Sequence, residues 1–273
     1  MQKYWHVLNL GLQNTLVYRL NFLFRATFGL IPLTATIMVW RTIYAGKAGG
    51  TVGAYELAPM ISYYLVITIV DALTAVTEDD WQIAADIKDG NISQFLLKPV
   101  DYLWFRFCLF LSGRATYLTV AFIPVACVIF FLRQYIVFPE EGMTWIAFIL
   151  SVIMTAMLQF FLSYTMAMLA FWVMEVSTFI FILYAFEYIA SGHLFPLDLL
   201  PGWLQQSILW TPYPYLAYFP VGIYLGNPTV HNTALSIYAP ALIRALGTKN
   251  VFTASTVDQI PQQLVCALMY GTG

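Results

Sequence analysis

Charge is the scarcest property of this chain: 10% of its 273 residues are Asp, Glu, Lys or Arg, against about 25% in a soluble domain. With 60% hydrophobic residues and a mean hydropathy of +0.74, that shortfall excludes an ordinary water-soluble globule. The formal net charge of −2 leaves no basic excess, so nothing points to nucleic acid. Cys108, Cys127 and Cys266 show no paired spacing, and the first two share one apolar block, where they read as small core residues. His6, His193 and His231 are isolated, and none has a metal-ligand spacing. No phosphate-binding loop G-x-x-x-x-G-K-[ST] occurs, and Gly46-Lys47 lacks the upstream glycine. The first turns are too polar for the core of a secretory signal.

Long apolar runs are what the chain does have. A helix needs about 20 apolar residues to cross a bilayer. Five blocks qualify or nearly so: 22–44, 59–77, 105–132, 145–173 and 176–191. The third carries Arg114 near its start and Pro124 inside, and only Met174-Glu175 separates the last two. Backbone groups in lipid must be satisfied internally, which predicts an all-α polytopic membrane protein. Ahead of these blocks, residues 4–20 place Trp5, Leu8, Leu12, Leu16 and Leu20 at helical spacing among polar residues. That pattern predicts an amphipathic helix lying in the membrane interface.

Between the second and third blocks stands a polar island, residues 78–101, EDDWQIAADIKDGNISQFLLKPVD. It holds six of the 14 acidic residues: Glu78, Asp79, Asp80, Asp86, Asp89 and Asp101. A charged, turn-containing segment between two spans sits in water beside the membrane. Glu78-Asp79-Asp80 are consecutive and cannot share one helix face, so they read as a solvated face rather than a metal site. A polyprenyl-type transferase would need two Asp-rich clusters; here there is one at most. Lys3, Arg19, Arg25, Lys88, Lys98 and Arg106 fall on one side, against Lys47, Arg133 and the nearby Arg41 on the other. The positive-inside rule then places the N-terminus and the island in the cytoplasm. There the acceptor triplet Asn91-Ile92-Ser93 would go unused. Ile92, Phe95 and Leu96 recur at helical spacing and could enter an apolar groove on a partner, with Asp89-Gly90 as the turn and Pro99 as the stop.

Residues 192–226 are apolar but carry Pro196, Pro201, Pro212, Pro214 and Pro220, which forbid one straight helix. Trp203, Trp210, Tyr213, Tyr215, Tyr218 and Tyr224 favour the interface, so short helices at or within the outer leaflet are expected. The tail, 227–273, differs: its best apolar run, 233–246, is short and contains Pro240 and Arg244. Ionisable residues inside spans are expensive and mark candidate pathways. Here they are Asp71, Arg114 and Glu187, with Glu175 at the tight turn. As structural residues, Arg114 would pair or snorkel, and Glu187 would sit near the outer interface.

Two stretches carry a resemblance. Asp86-Ile87-Lys88-Asp89-Gly90 followed by Phe95-Leu96-Leu97-Lys98-Pro99 resembles the cytoplasmic coupling segment of ABC-2 family exporter permeases. Ser191-Gly192, Phe195-Pro196-Leu197, Leu200-Pro201-Gly202-Trp203 and Pro220-Val221-Gly222-Ile223-Tyr224-Leu225-Gly226 resemble that family's outer re-entrant segment. The similarity covers residues 1–226 in the family's order, from elbow helix to outer segment. It implies a permease of six spans, paired with a second permease copy or a homologous one. It also implies two cytoplasmic ABC ATPase subunits, which would carry the ATP and Mg; this chain would bind no cofactor or metal of its own. The coupling residues implied are Asp86, Lys88, Asp89, Gly90, Ile92, Phe95, Leu96, Lys98 and Pro99. Gly192, Pro196, Pro201, Trp203 and Pro220 would shape the outer segment, in a bacterial cell membrane. The tail departs from the family, because a sixth span with a basic end is not visible after Gly226.

Two other readings fit the composition. An intramembrane enzyme acting on lipids would need convergent polar residues within the spans, where they are sparse. A membrane scaffold or channel without a motor would need no ATPase. Co-purification of an ATPase separates them.

Overall fold

The computed structural model describes residues 2–17, 19–46, 51–53, 55–76, 79–96, 100–139, 141–173 and 176–226. The tail 227–273, the pair Lys98-Pro99 and the pair Met174-Glu175 lie outside the described residues.

The chain begins with α1 (Gln2–Val17) and α2 (Arg19–Ala45). A two-residue hairpin, β1 (Thr51–Val52) and β2 (Tyr55–Glu56), leads to α3 (Leu57–Thr74). The polar island forms α4 (Asp79–Lys88) and α5 (Ile92–Leu96). Two long helices follow, α6 (Tyr102–Phe131) and α7 (Gly142–Met168), then α8 (Val176–Ala190). The proline-rich segment adds α9 (Gly202–Leu209) and α10 (Tyr218–Tyr224), with 3-10 turns at Leu197–Leu199 and Tyr213–Tyr215.

Among the described residues four helices are long and apolar enough to cross a membrane: α2, α3, α6 and α7, the last extended by the 3-10 turn Leu169–Phe171. The fifth block, 176–191, yields a helix at almost those bounds, shorter than the other four. Fifteen residues of α8 reach about 22 Å, less than the ~30 Å hydrocarbon layer. The helix stops because Gly192 turns the chain at φ +89°, a conformation that suits glycine. A Cβ there would also lie 2.7 Å from the Tyr63 hydroxyl.

The core gathers around α3, whose Met60, Tyr63 and Val70 are completely buried. This helix packs against α2, α6, α7 and α10. At the far end the hairpin is tied down by tyrosines. Tyr44 donates to the Tyr55 carbonyl at 2.8 Å, and Tyr55 donates to Asp198 at 2.7 Å.

At 30 residues, α6 is about 45 Å long, well beyond the hydrocarbon thickness. Its excess is used at the start, where α1 packs lengthwise. The Asp101 backbone N–H donates to the Tyr4 hydroxyl at 3.4 Å, and Gly11 lies so close that a Cβ would fall 2.3 Å from the Ser112 hydroxyl. The amphipathic helix is where the periodicity places it, but its packed face is rotated. Leu8, Gly11 and Leu12 turn towards the protein while Trp5 stands exposed. Gly11 allows the closest approach to α6, and close approach decides which face packs.

Residues 191–226 dip into the bundle and return. The Thr155 hydroxyl, about 20 Å along α7 from Gly142, donates to the Tyr215 carbonyl at 2.9 Å. Tyr224 then meets Trp145 and Phe148 at the start of α7, with ring centroids 5.6 and 5.3 Å away. The segment is therefore re-entrant, in broken helical pieces as the prolines predict. Pro196 and Pro201 sit just before the 3-10 turn and α9. Pro220 lies in the first turn of α10, where its missing N–H has no intrahelical acceptor to lose. Trp203 is exposed.

Candidate functional site

The structure gathers the candidate residues into two places. One is the α4–α5 element, which leaves α3 and re-enters the bundle at α6. The other lies where the last turn of α3, the second half of α7, the end of α8 and the turn that follows it meet.

In the first place, α4 is amphipathic and packs by one face. Ile83 is buried with Ala167 and Met168 at the end of α7, and Ile87, Tyr102 and Tyr164 close around them. The opposite face, with Trp81, Ala85, Lys88 and Asp89, is exposed. Gly90 makes the turn at φ +70° with open space where a side chain would go. Inside the following α5, the Ser93 hydroxyl donates back to the Gly90 carbonyl at 2.7 Å and ties the helix to the turn.

Two residues placed on the partner-facing surface by sequence are engaged inside the chain. The Asp86 carboxylate accepts from the Tyr102 hydroxyl at 2.8 Å and forms an ion pair with Arg106. Phe95 packs its ring on Tyr102 and Phe105, with centroids 4.9 and 5.0 Å away. A helix this short has no core of its own, so its largest apolar side chain packs on the neighbouring span. Ile92 is half-buried, and Leu96 ends the helix. Lys98 and Pro99 lie outside the described residues.

The second place holds more polar groups than spacing revealed. His193 is not isolated: its Nε2 lies 2.9 Å from an Asp71 oxygen, its Nδ1 meets the Ser191 hydroxyl, and its ring stacks on Tyr188. One turn back on α8, Glu187 accepts from Gln159 of α7 at 2.9 Å. Asp71 and Glu187 thus approach the same region from different helices. Arg114 does not share those bonds; it is buried on α6 with its guanidinium 5.3 Å from the Tyr117 ring centre. Tyr63 and Tyr64 donate to the carbonyls of Gly192 and Leu194, both at 2.8 Å, and anchor the turn to α3. Ser163, further along α7, is buried without a hydrogen-bond partner.

The Ser191–His193–Asp71 set has the residue types of a hydrolytic relay but not its access. Ser191 is fully buried, and its hydroxyl meets Nδ1 while the acid meets Nε2, the reverse of the common arrangement. The set works as a clamp between the turn and α3. Among the described residues no group of three or more His, Cys, Asp or Glu side chains could hold a metal ion.

Sequence reasoning missed His193, Gln159, Tyr102 and Arg106. Gln159 had a readable signal: Ser151, Thr155, Gln159 and Ser163 recur every four residues, a polar line down one side of α7.

Residues 30–255 match the model of a family described as ABC-2 family transporter protein. That match runs past residue 226 into the tail. Neither a curated protein nor a solved structure matches the chain. With four helices among the described residues long and apolar enough to cross a membrane, and a family match over most of its length, the chain belongs to the ABC-2 family and is a transmembrane subunit of a transporter.

Proposed function

We propose that this subunit is the permease of an ATP-driven exporter, docked on its ATPase through residues 79–104. In this reading the N-terminus and the α4–α5 element face the cytoplasm, and the membrane is the bacterial cell membrane. ATP and Mg are held by a separate cytoplasmic ABC ATPase. A second permease copy, identical or homologous, completes the path, and Asp71, Glu187 and Arg114 are its candidate polar lining.

The observation that supports this reading most is the two-sided α4. One face is packed against the ends of α6 and α7, and the other presents Trp81, Ala85, Lys88 and Asp89 in the open. A soluble motor can move membrane helices only through an element that it can touch and that is continuous with them.

The test is affinity purification of the tagged chain from its native membrane. An ABC ATPase should co-purify, and Trp81→Ala with Lys88→Glu should reduce its recovery. Recovery of the permease without any ATPase overturns the reading. Orientation is tested with single cysteines at Ser93 and Ser207, in a chain whose own cysteines are replaced. An impermeant reagent added outside intact cells should label the second and not the first; the opposite pattern reverses the topology.

A further inference from the structure

Arg106 is a buried cation used by none of the roles above. It is the fifth residue of α6, and its side chain is 6% exposed. Burying a guanidinium is costly unless its donors are matched, and here all three of its nitrogens have partners. Nε donates to the Tyr102 hydroxyl at 3.0 Å, Nη1 donates to Gln82 at 3.1 Å, and Nη2 pairs with Asp86. Gln82 and Asp86 lie four residues apart on α4, so the planar fork grips two successive turns of that helix. Tyr102 closes the ring by donating to the same Asp86 oxygen.

The neighbouring contacts extend this grip. Phe95 of α5 rests on Tyr102, and Ile83 of α4 on the end of α7. Asp101 caps α6, accepting from the Leu103 N–H at 2.9 Å. A lysine could not satisfy these acceptors, since the guanidinium supplies directed donors from three nitrogens in one plane.

We propose that Arg106 is the positioning residue of a rigid joint that makes α4, α5 and the start of α6 move as one body. Displacement of the exposed face of α4 then tilts α6. The joint deepens the ATPase-driven reading and rests on it for its purpose, but its rigidity is measurable without a motor.

The experiment has two arms. In the first, spin labels at Ser93 and Leu118 report the α5–α6 distance in the purified full chain. A narrow distribution is expected in the parent and a broad one in Arg106→Gln, with Arg106→Lys intermediate. A pair at Met143 and Ser207 should be unchanged. In case Arg106→Gln fails to fold, the double variant R106M/D86L removes the fork but keeps the packing, and should broaden the distribution likewise. A broad parent distribution, or a narrow one in the variants, overturns the joint.

In the second arm, the complex with its co-purifying ATPase carries Ser207→Cys and is labelled at that site with and without ATP. Arg106→Gln should keep the ATPase bound and hydrolysing, yet lose about tenfold of the ATP-dependent change in labelling rate at this distant site. A full-sized change in the variant refutes transmission through Arg106. Failure to recover any ATPase sinks the exporter reading instead, and the first arm still decides the joint.

Discussion

The Arg106–Asp86 pair and the His193–Asp71 pair are built from the same chemistry and are used differently. Arg106 and Asp86 are 6% and 22% exposed, and Gln82 and Tyr102 complete the set. His193 and Asp71 are 16% and 39% exposed, so the acid keeps a face open in the single chain. A closed, fully matched pair holds one geometry, because breaking it leaves a buried charge uncompensated. A half-open pair has alternatives in its carboxylate, which can turn to another donor or to water. The closed pair joins elements next to each other in the chain, whereas the open pair joins residues 122 apart, where a re-entrant turn meets a span. Rigidity suits the joint proposed at Arg106, and an exchangeable polar contact suits the path proposed for Asp71.

Four substitutions bear on that contrast, in order of falling effect. Arg106→Met alone should be the most damaging, because Asp86 stays behind, half-buried and without its counter-charge. A loss of about 3 kcal/mol is expected, read as a large drop in the melting temperature of the detergent-purified chain. Survival of the single variant with unchanged melting would mean that the inner pair is no tighter than the outer one.

Gly11→Val comes next. Its side chain would collide with Ser112 on α6, and overpacking costs about 1–3 kcal/mol. The distance between spin labels at Lys3→Cys and Trp104→Cys should then lengthen or broaden, whereas an unchanged distribution would show that α1 is not held by this approach.

Gly192→Ala tests the outer region through its backbone. The φ of +89° and the nearby Tyr63 hydroxyl both oppose a methyl group, at a cost of about 1–2 kcal/mol. The paired variant Tyr63→Phe removes the hydroxyl and should recover part of the loss; no recovery would assign the whole effect to φ.

Asp71→Asn should have the least effect on stability, below about 1 kcal/mol, since the group is partly exposed and the amide can still bond His193. Its expected consequence is on transport, measured in proteoliposomes once a substrate is in hand. A fall in melting temperature as large as that of Arg106→Met would erase the distinction between the two pairs.

Spans were legible where the signal is local. Residues 22–44 and 105–132 contain α2 and α6 nearly whole, because apolar length alone makes a helix in lipid. The block 176–191 was legible at nearly its observed bounds, but not what holds its end, since that depends on Gly192 meeting Tyr63 of another span. His193 was read as isolated because its partner on α3 is remote in sequence. Phe95 was read outward from its spacing and Asp86 from the family resemblance; in the structure both also engage α6, because a short helix beside a span packs its side chains on that span.

Hydropathy and proline placement, as properties of the sequence by itself, determined that this is a polytopic helical membrane protein with a polar element between its second and third spans. They also determined that residues 192–226 break into pieces. Hydrophobic length and missing N–H groups act within a segment, so no neighbour is needed to read them. Only the tertiary structure decided which polar groups meet. Arg106 found Gln82 and Asp86, His193 found Asp71, and Gln159 found Glu187, because an unpaired polar group in an apolar bundle is costly and its cheapest remedy lies on whichever helix packs beside it.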